Sequence, residues 1–297
     1  MISFSRYRKI YFIFSGILIS ISLVCLVVFG LRPGIDFTGG SIMEIDYKNN
    51  RPSNPEILNK LKGLDLGNVS IQPLGRKGII LKTKHINEET HQQILERLGA
   101  KRDEIEERRF DSIGPVIGRE LKRKTKIVIL LALLSMIVYI ALAFRRIQRP
   151  LRSWQYGIAS VIALFHDILI PLGIFSLLGK FYGLEISIPV ITALLAVLGY
   201  SINNTVVVFD RIRENLLRRG EVFEEIVDRS LNQTLARQIN TSLTTLFVSF
   251  AIFLFGGQTL RYFSLALILG ISAGTYSSIF LAGPILVSWF RWRHRKE

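Results

Sequence analysis

Ile188–Asp210 reads IPVITALLAVLGYSINNTVVVFD, an apolar run broken only by Asn203-Asn204-Thr205 and closed by Asp210. A helix needs about 20 apolar residues to cross a bilayer, and this stretch supplies them. Pro189 stands near its start, where a missing N–H costs a helix nothing. Five further blocks share its character: Ile10–Gly30, Ile127–Phe144, Tyr156–Leu178, Ser242–Phe255 and Phe263–Phe290. Ser242–Phe255 is short and needs its flanks, Asn240 to Gly257, to span. The 297 residues are 49% hydrophobic, with a mean hydropathy of +0.35. A soluble chain would spread those residues as periodic faces. In blocks they predict an α-helical integral membrane protein of six transmembrane helices.

The net charge is +15, and its distribution sets the topology. Basic groups stand at Arg6, Arg8 and Lys9, at Arg145, Arg146, Arg149 and Arg152, and at Arg211, Arg213, Arg218, Arg219, Arg229 and Arg237. They return at Arg291, Arg293, Arg295 and Lys296. Each cluster flanks a span on the same side, the positive-inside pattern, which places both termini in the cytoplasm. Charge so placed faces membrane lipids, not nucleic acid. Arg119, Lys122, Arg123, Lys124 and Lys126 run against the pattern, but the outer loop they end exceeds the roughly 60 residues within which the rule holds. Cys25, the single cysteine, lies in the first block, and Gly30-Leu31-Arg32-Pro33 is a poor cleavage site. The first helix is therefore expected to stay uncleaved.

Three segments follow: 1–33, the N-terminus and first span; 34–122, an extracytoplasmic α+β domain; and 123–297, five further spans. In the outer domain Ser41–Tyr47 alternates apolar and polar residues, as a half-buried strand does. Ser53 reads as a helix N-cap, with Pro55 and Glu56 in the first turn. Asn68–Leu74 and Gly78–Thr83 read as strands joined by Gly75-Arg76-Lys77. Asn87 caps a second helix, and Ile105–Phe110 closes the sheet. The order fits a ferredoxin-like βαββαβ unit. His85 and His91 form no metal-ligand set. In the cytoplasmic segment 211–238, Val222, Phe223, Ile226, Val227, Leu231 and Leu235 face one way and Glu221, Glu224, Glu225, Asp228 and Arg229 the other. This predicts an amphipathic helix along the membrane surface or against another helix.

An acidic side chain at mid-span costs roughly 2.5–3.5 kcal/mol on insertion, so polar residues inside spans ask for a reason. His166-Asp167 lies in span three. Pro171, four residues on, cannot donate to the Asp167 carbonyl. The turn thus joins a carboxylate, an imidazole and a free acceptor, suited to a proton or cation or to a structural interhelical bond. Asn203 and Asn204 project from different parts of the helix surface, and amides do not titrate near neutral pH. Asp210 marks the exit from span four among paired charges. Arg237 can pair with Asp210 or Asp167, or snorkel. Thr241, Thr244 and Thr245 continue a polar track into span five that suits packing or an ion path. Gly270 and Gly274 form a small-xxx-small step for close helix packing. No P-loop and no paired zinc ligands occur. Non-enzymatic work driven by an ion gradient or a partner is expected, with protons or sodium ions as the only cofactor.

Several motifs coincide with a known family. GIDFTGG at 34–40, GPVIG at 114–118, GYSINNTVVVFDRIREN at 199–215 and RQINTSLTT at 237–245 resemble the SecF family of protein-export membrane proteins. With SecD it belongs to the resistance-nodulation-division superfamily. The resemblance implies a bacterial plasma-membrane subunit that works with SecD and the SecYEG channel, alongside YajC and YidC. Exported polypeptides would be the substrates, and a proton or sodium gradient the drive. It also implies an ion path along spans four and five, with aspartate at position 204 and arginine at 237. Arg237 is present, but position 204 is Asn204. Coupling then rests on the partner's own acidic residue, with Asn204 bonding across the interface, or has moved to Asp167, or is absent from a passive scaffold. The first is the expectation. A small-molecule exporter of the superfamily would carry twelve spans and two large outer domains.

Overall fold

The computed structural model describes residues 2–99, 103–145, 151–216 and 222–294. Arg146, Arg149, Arg218, Arg219, Glu221, Arg295 and Lys296, named above, lie outside the described residues. The chain is mostly helical. Among the described residues six helices are long and apolar enough to cross a membrane, with one small antiparallel sheet; this is a multi-pass membrane protein.

Five spans are single helices: α1 (Arg8–Phe29), α5 (Pro115–Ala143), α6 (Ser153–Tyr182), α7 (Ile188–Leu216) and α8 (Phe223–Phe255). The sixth is composite. α9 (Gln258–Ser277) passes into a five-residue π-turn, Ser278–Ala282, and then α10 (Gly283–His294). The wider turn ends at Gly283-Pro284, where an ordinary α-turn would press the proline ring on the Phe280 carbonyl.

Two helices differ from expectation. α5 starts at Pro115, so Arg119–Lys126 lie within its first turns and do not end a loop. Phe223–Gln238 forms no separate surface helix but continues unbroken into span five. Phe223, Ile226, Val227 and Leu231 are buried with Val208, Phe209 and Ile212 of α7, and this shared core holds the helix against its neighbours.

Two compact units emerge, Pro33–Ile127 and the chain on either side of it. The first holds the sheet. Strands β1 (Gly40–Tyr47), β2 (Ser70–Leu74), β3 (Gly78–Thr83) and β4 (Ile105–Ile113) lie in the order β2-β3-β1-β4, all antiparallel. Helices α3 (Asn54–Lys60) and α4 (Glu88–Leu98) follow β1 and β3. Met43, Ile45, Ile79 and Leu81 bury against Ile57, Leu61, Ile94 and Leu98. Asn87 Oδ1 accepts from Thr90 N at 3.0 Å, capping α4.

The two glycine motifs of this unit meet. After a short helical turn, α2 (Ile35–Thr38), Gly39 and Gly40 take φ of +74° and +129°. A Cβ on Gly39 would stand 3.1 Å from Pro115 Cα, one on Gly40 2.8 Å from the Thr83 carbonyl, and one on Gly118 2.9 Å from Gly39 N. Left-handed backbone and absent side chains together let this corner close on the start of α5.

Candidate functional site

The polar centre of the membrane unit lies where α6, α7 and α9 converge. His166 and Asp167 are wholly buried. Asp167 Oδ1 takes a hydrogen bond from His166 Nδ1 at 2.8 Å. Asp167 Oδ2 accepts from Ser277 Oγ at 2.7 Å and from Ser201 Oγ. Three donors on three helices thus surround one carboxylate.

Glycine makes the convergence fit. A Cβ on Gly270 would lie 2.4 Å from Val197 Cγ2, and one on Gly274 3.2 Å from Ser201 Cβ and 3.5 Å from Asp167 Oδ2. The small step of α9 therefore seats directly on α7, beside the carboxylate.

The imidazole is less well served. His166 stacks on Tyr276, ring centroids 5.8 Å apart at 22°, but its Nε2 has no hydrogen-bond partner among the described residues. Asn204 Nδ2 is likewise buried without a partner. Asn204 follows Ser201 by three residues, on the same face of α7 and one turn along. With the carboxylate ionised, Nδ1 carries the ring proton and Nε2 presents a lone pair. A second proton on Nε2 would make an imidazolium neutralised in place by Asp167. The pair can therefore hold an exchangeable proton without exposing a net positive charge to a low-dielectric interior.

The other residues singled out in the sequence stand apart. Asn203 is exposed, on the side of α7 away from Asn204. Asp210 is exposed and pairs with Arg213 at 2.8 Å. Arg237 is exposed on α8. Its guanidinium has no partner among the described residues, so it reaches neither Asp210 nor Asp167. Thr241 Oγ1 donates to the Arg237 carbonyl at 2.7 Å, and Thr244 and Thr245 donate to the Thr241 carbonyl at 2.9 and 3.1 Å. These hydroxyls satisfy themselves on their own helix.

Asn204 was expected to bond across an interface. It is 3% exposed, inside its own bundle, and Asn203 is the asparagine on the surface of α7. The stretch 199–204 instead contributes Ser201 to Asp167. Ser201 and Ser277 were not singled out in the sequence, since a serine in a span is ordinary until folding brings it to a carboxylate. Among the described residues no group of three or more His, Cys, Asp or Glu could hold a metal.

The profile of the family described as protein export membrane protein SecD/SecF, C-terminal, matches residues 93–292. That of the SecD/SecF GG motif matches 26–50, the corner at Gly39-Gly40. Protein translocase subunit SecF of Thermobaculum terrenum is 42% identical over 97% of this chain and 94% of its own length. The Rhodothermus marinus subunit of the same name is 41% identical over 96% and 92%. A crystal structure of SecDF from Thermus thermophilus, described as a translocon-associated membrane protein, superposes with a TM-score of 0.80 at 35% identity. The match covers 97% of this chain but only 38% of that longer one. With both profiles matched and close relatives aligned nearly end to end, the chain belongs to the SecF branch of the SecD/SecF family of protein-export membrane proteins.

Proposed function

We propose that the chain is an accessory subunit of the Sec translocase that couples an ion gradient to outward movement of exported polypeptide, and that Asp167 carries the coupling in this subunit. It works with a SecD-type partner at the SecYEG channel in the bacterial plasma membrane, both termini in the cytoplasm. YajC and YidC belong to the same assembly. The βαββαβ unit, with its antiparallel order β2-β3-β1-β4, is a ferredoxin-like domain on the outer side.

One observation carries this reading: position 204 cannot titrate, yet Ser201, one turn along the same helix, holds a buried carboxylate that is bonded from three helices. A buried ionisable group in a span is expensive and marks function more often than packing. Protons suit the pair better than sodium ions, because the open valence at the site is the His166 Nε2 lone pair, not a shell of oxygens. Asn204 favours a passive scaffold as the second reading.

Affinity purification from membranes tests the partnership; a SecD-type protein and the channel should come along. Proton and sodium flux through proteoliposomes of the reconstituted pair tests the coupling. Flux should follow protons and fall to background with Asp167→Asn. Unchanged flux in that variant leaves the scaffold.

A further inference from the structure

The N-terminal half of α8 carries a stripe of buried polar residues that the reading above does not use. Ser230, Thr234, Gln238 and Ser242 recur every four residues, one face of the helix over three turns. All are at most 2% exposed. The first three are linked by hydrogen bonds. Ser278 Oγ, beside Ser277, donates to Gln238 Oε1 at 2.6 Å. Gln238 Nε2 donates to Thr234 Oγ1 at 3.2 Å. Thr234 Oγ1 donates to the Ser230 carbonyl at 2.9 Å. Asn215 Nδ2, from α7, donates to Ser230 Oγ and Gln233 Oε1, both at 2.9 Å. Gln233 is exposed.

Polar groups therefore line α8 from Gln233 and reach Ser278, with the step from Thr234 made to the Ser230 carbonyl while Ser230 Oγ donates to the Ile226 carbonyl at 2.7 Å. There the adjacent Ser277 holds Asp167. From Ser230 to Gln238 the column climbs about 12 Å. The next stripe of the same helix, Val227 and Leu231, is apolar and fully buried.

Interhelical bonds alone do not ask for this alignment. Packing is served by isolated hydroxyls, such as Ser242 with Thr275 at 2.6 Å. Ser277, next to Ser278, reaches the Asp167 site, where His166 Nε2 and Asn204 Nδ2 are buried without a partner among the described residues. Buried polar atoms of this kind are satisfied by internal water in most proteins. The π-turn starts at Ser278 itself, in the backbone geometry that marks functional breaks in helices.

We propose that the column is the cytoplasmic access route of the His166–Asp167 pair: water enters at Gln233 and carries protons past Asn215, Ser230, Thr234, Gln238 and Ser278 to Asp167. The titratable groups around its inner end are His166 and Asp167 on α6 and Tyr276 on α9, whose hydroxyl donates to the Tyr11 carbonyl of α1. This route rests on the coupling reading for its purpose, but not for its test.

Cys25 is the only cysteine in the sequence, so Cys25→Ser gives a thiol-free chain. Single cysteines are placed in the full chain at Ser230, Thr234 and Ser278, all near-isosteric, and at Val227 and Leu231 as dry controls at matching depth. A permanently charged methanethiosulfonate is added to inside-out membrane vesicles, and labelling is read by mass spectrometry. A hydrated thiol ionises more readily than one in an apolar core, so the column positions should react more than about tenfold faster than the controls. Equal, background rates at all five positions overturn the route and make the column a structural zipper. If one variant fails to insert, the other two decide. Labelling together with normal flux in Asp167→Asn would sink the coupling reading and leave the hydrated column standing.

Discussion

Two histidines separate the two units. In the α/β unit, His91 uses both ring nitrogens, Nδ1 with Glu88 at 3.1 Å and Nε2 with Glu107 at 2.7 Å, and stacks flat on Phe110 at 3.8 Å. In the membrane bundle, His166 uses only Nδ1, on Asp167. Glu88 is mostly exposed, so solvent shares the charge of the first cluster. Both members of the second, His166 and Asp167, are wholly buried. The α/β unit spends its polar groups on holding its fold, whereas the bundle keeps polar capacity in reserve where it is most expensive. The first arrangement needs no ligand. The second leaves one ring nitrogen open.

Removing a carboxylate from each side tests that contrast. Asp167→Ala leaves three buried donors unpaired and should destabilise the bundle by about 3–5 kcal/mol, read by thermal unfolding of the full chain in detergent. In the bundle again, Gly270→Ala drives a methyl into Val197 and should cost about 1–3 kcal/mol while separating α9 from α7. Glu107→Ala in the α/β unit releases His91 Nε2 toward water and should cost about 0.5–1.5 kcal/mol, read as hydrogen-exchange protection of Pro33–Ile127. Equal losses for the two carboxylates would break the comparison.

Tyr47 sharpens it on the α/β side. Its hydroxyl is buried and partnerless, and burial pushes its pKa up to about 12. The folded state therefore holds that proton more tightly than the unfolded one. The unit should keep its stability up to about pH 10 and lose some as pH rises toward 12, and Tyr47→Phe should remove that slope. At neutral pH the same variant should be neutral or slightly stabilising, since it deletes an unsatisfied group. The smallest effect belongs to Arg237→Gln. With no partner among the described residues, it should change thermal stability by less than about 0.5 kcal/mol, so any loss of export it causes would point outward to a partner.

Most of the architecture is legible in the amino-acid order because hydrophobic blocks and period-two alternation are local signals. The strands, the caps at Ser53 and Asn87 and the six spans come from them directly. What is not legible depends on distant neighbours. Helices α7 and α8 overrun their apolar blocks to Leu216 and from Phe223, since a shared core in the bundle sustains their polar ends. The π-turn leaves only Gly283-Pro284 as a trace. His166 and Asp167 stand out as charges in a span, but Ser201 and Ser277 join them from 34 and 110 residues away. Gln238 was eclipsed by Arg237, yet an amide within a continuous helix, four residues from Thr234 and from Ser242, is the signal that finds the column.

Gradient-dependent export in cells whose only copy carries Asp167→Asn tests the central claim most directly, with assembly checked by co-purification of the partner. The carboxamide keeps the size and most bonds of Asp167 but cannot form a carboxylate. Loss of the gradient-dependent component with normal assembly is the expected result, and Asn204→Asp in that background should not restore the wild-type pH profile. Full gradient-dependent export with Asp167→Asn would contradict the account.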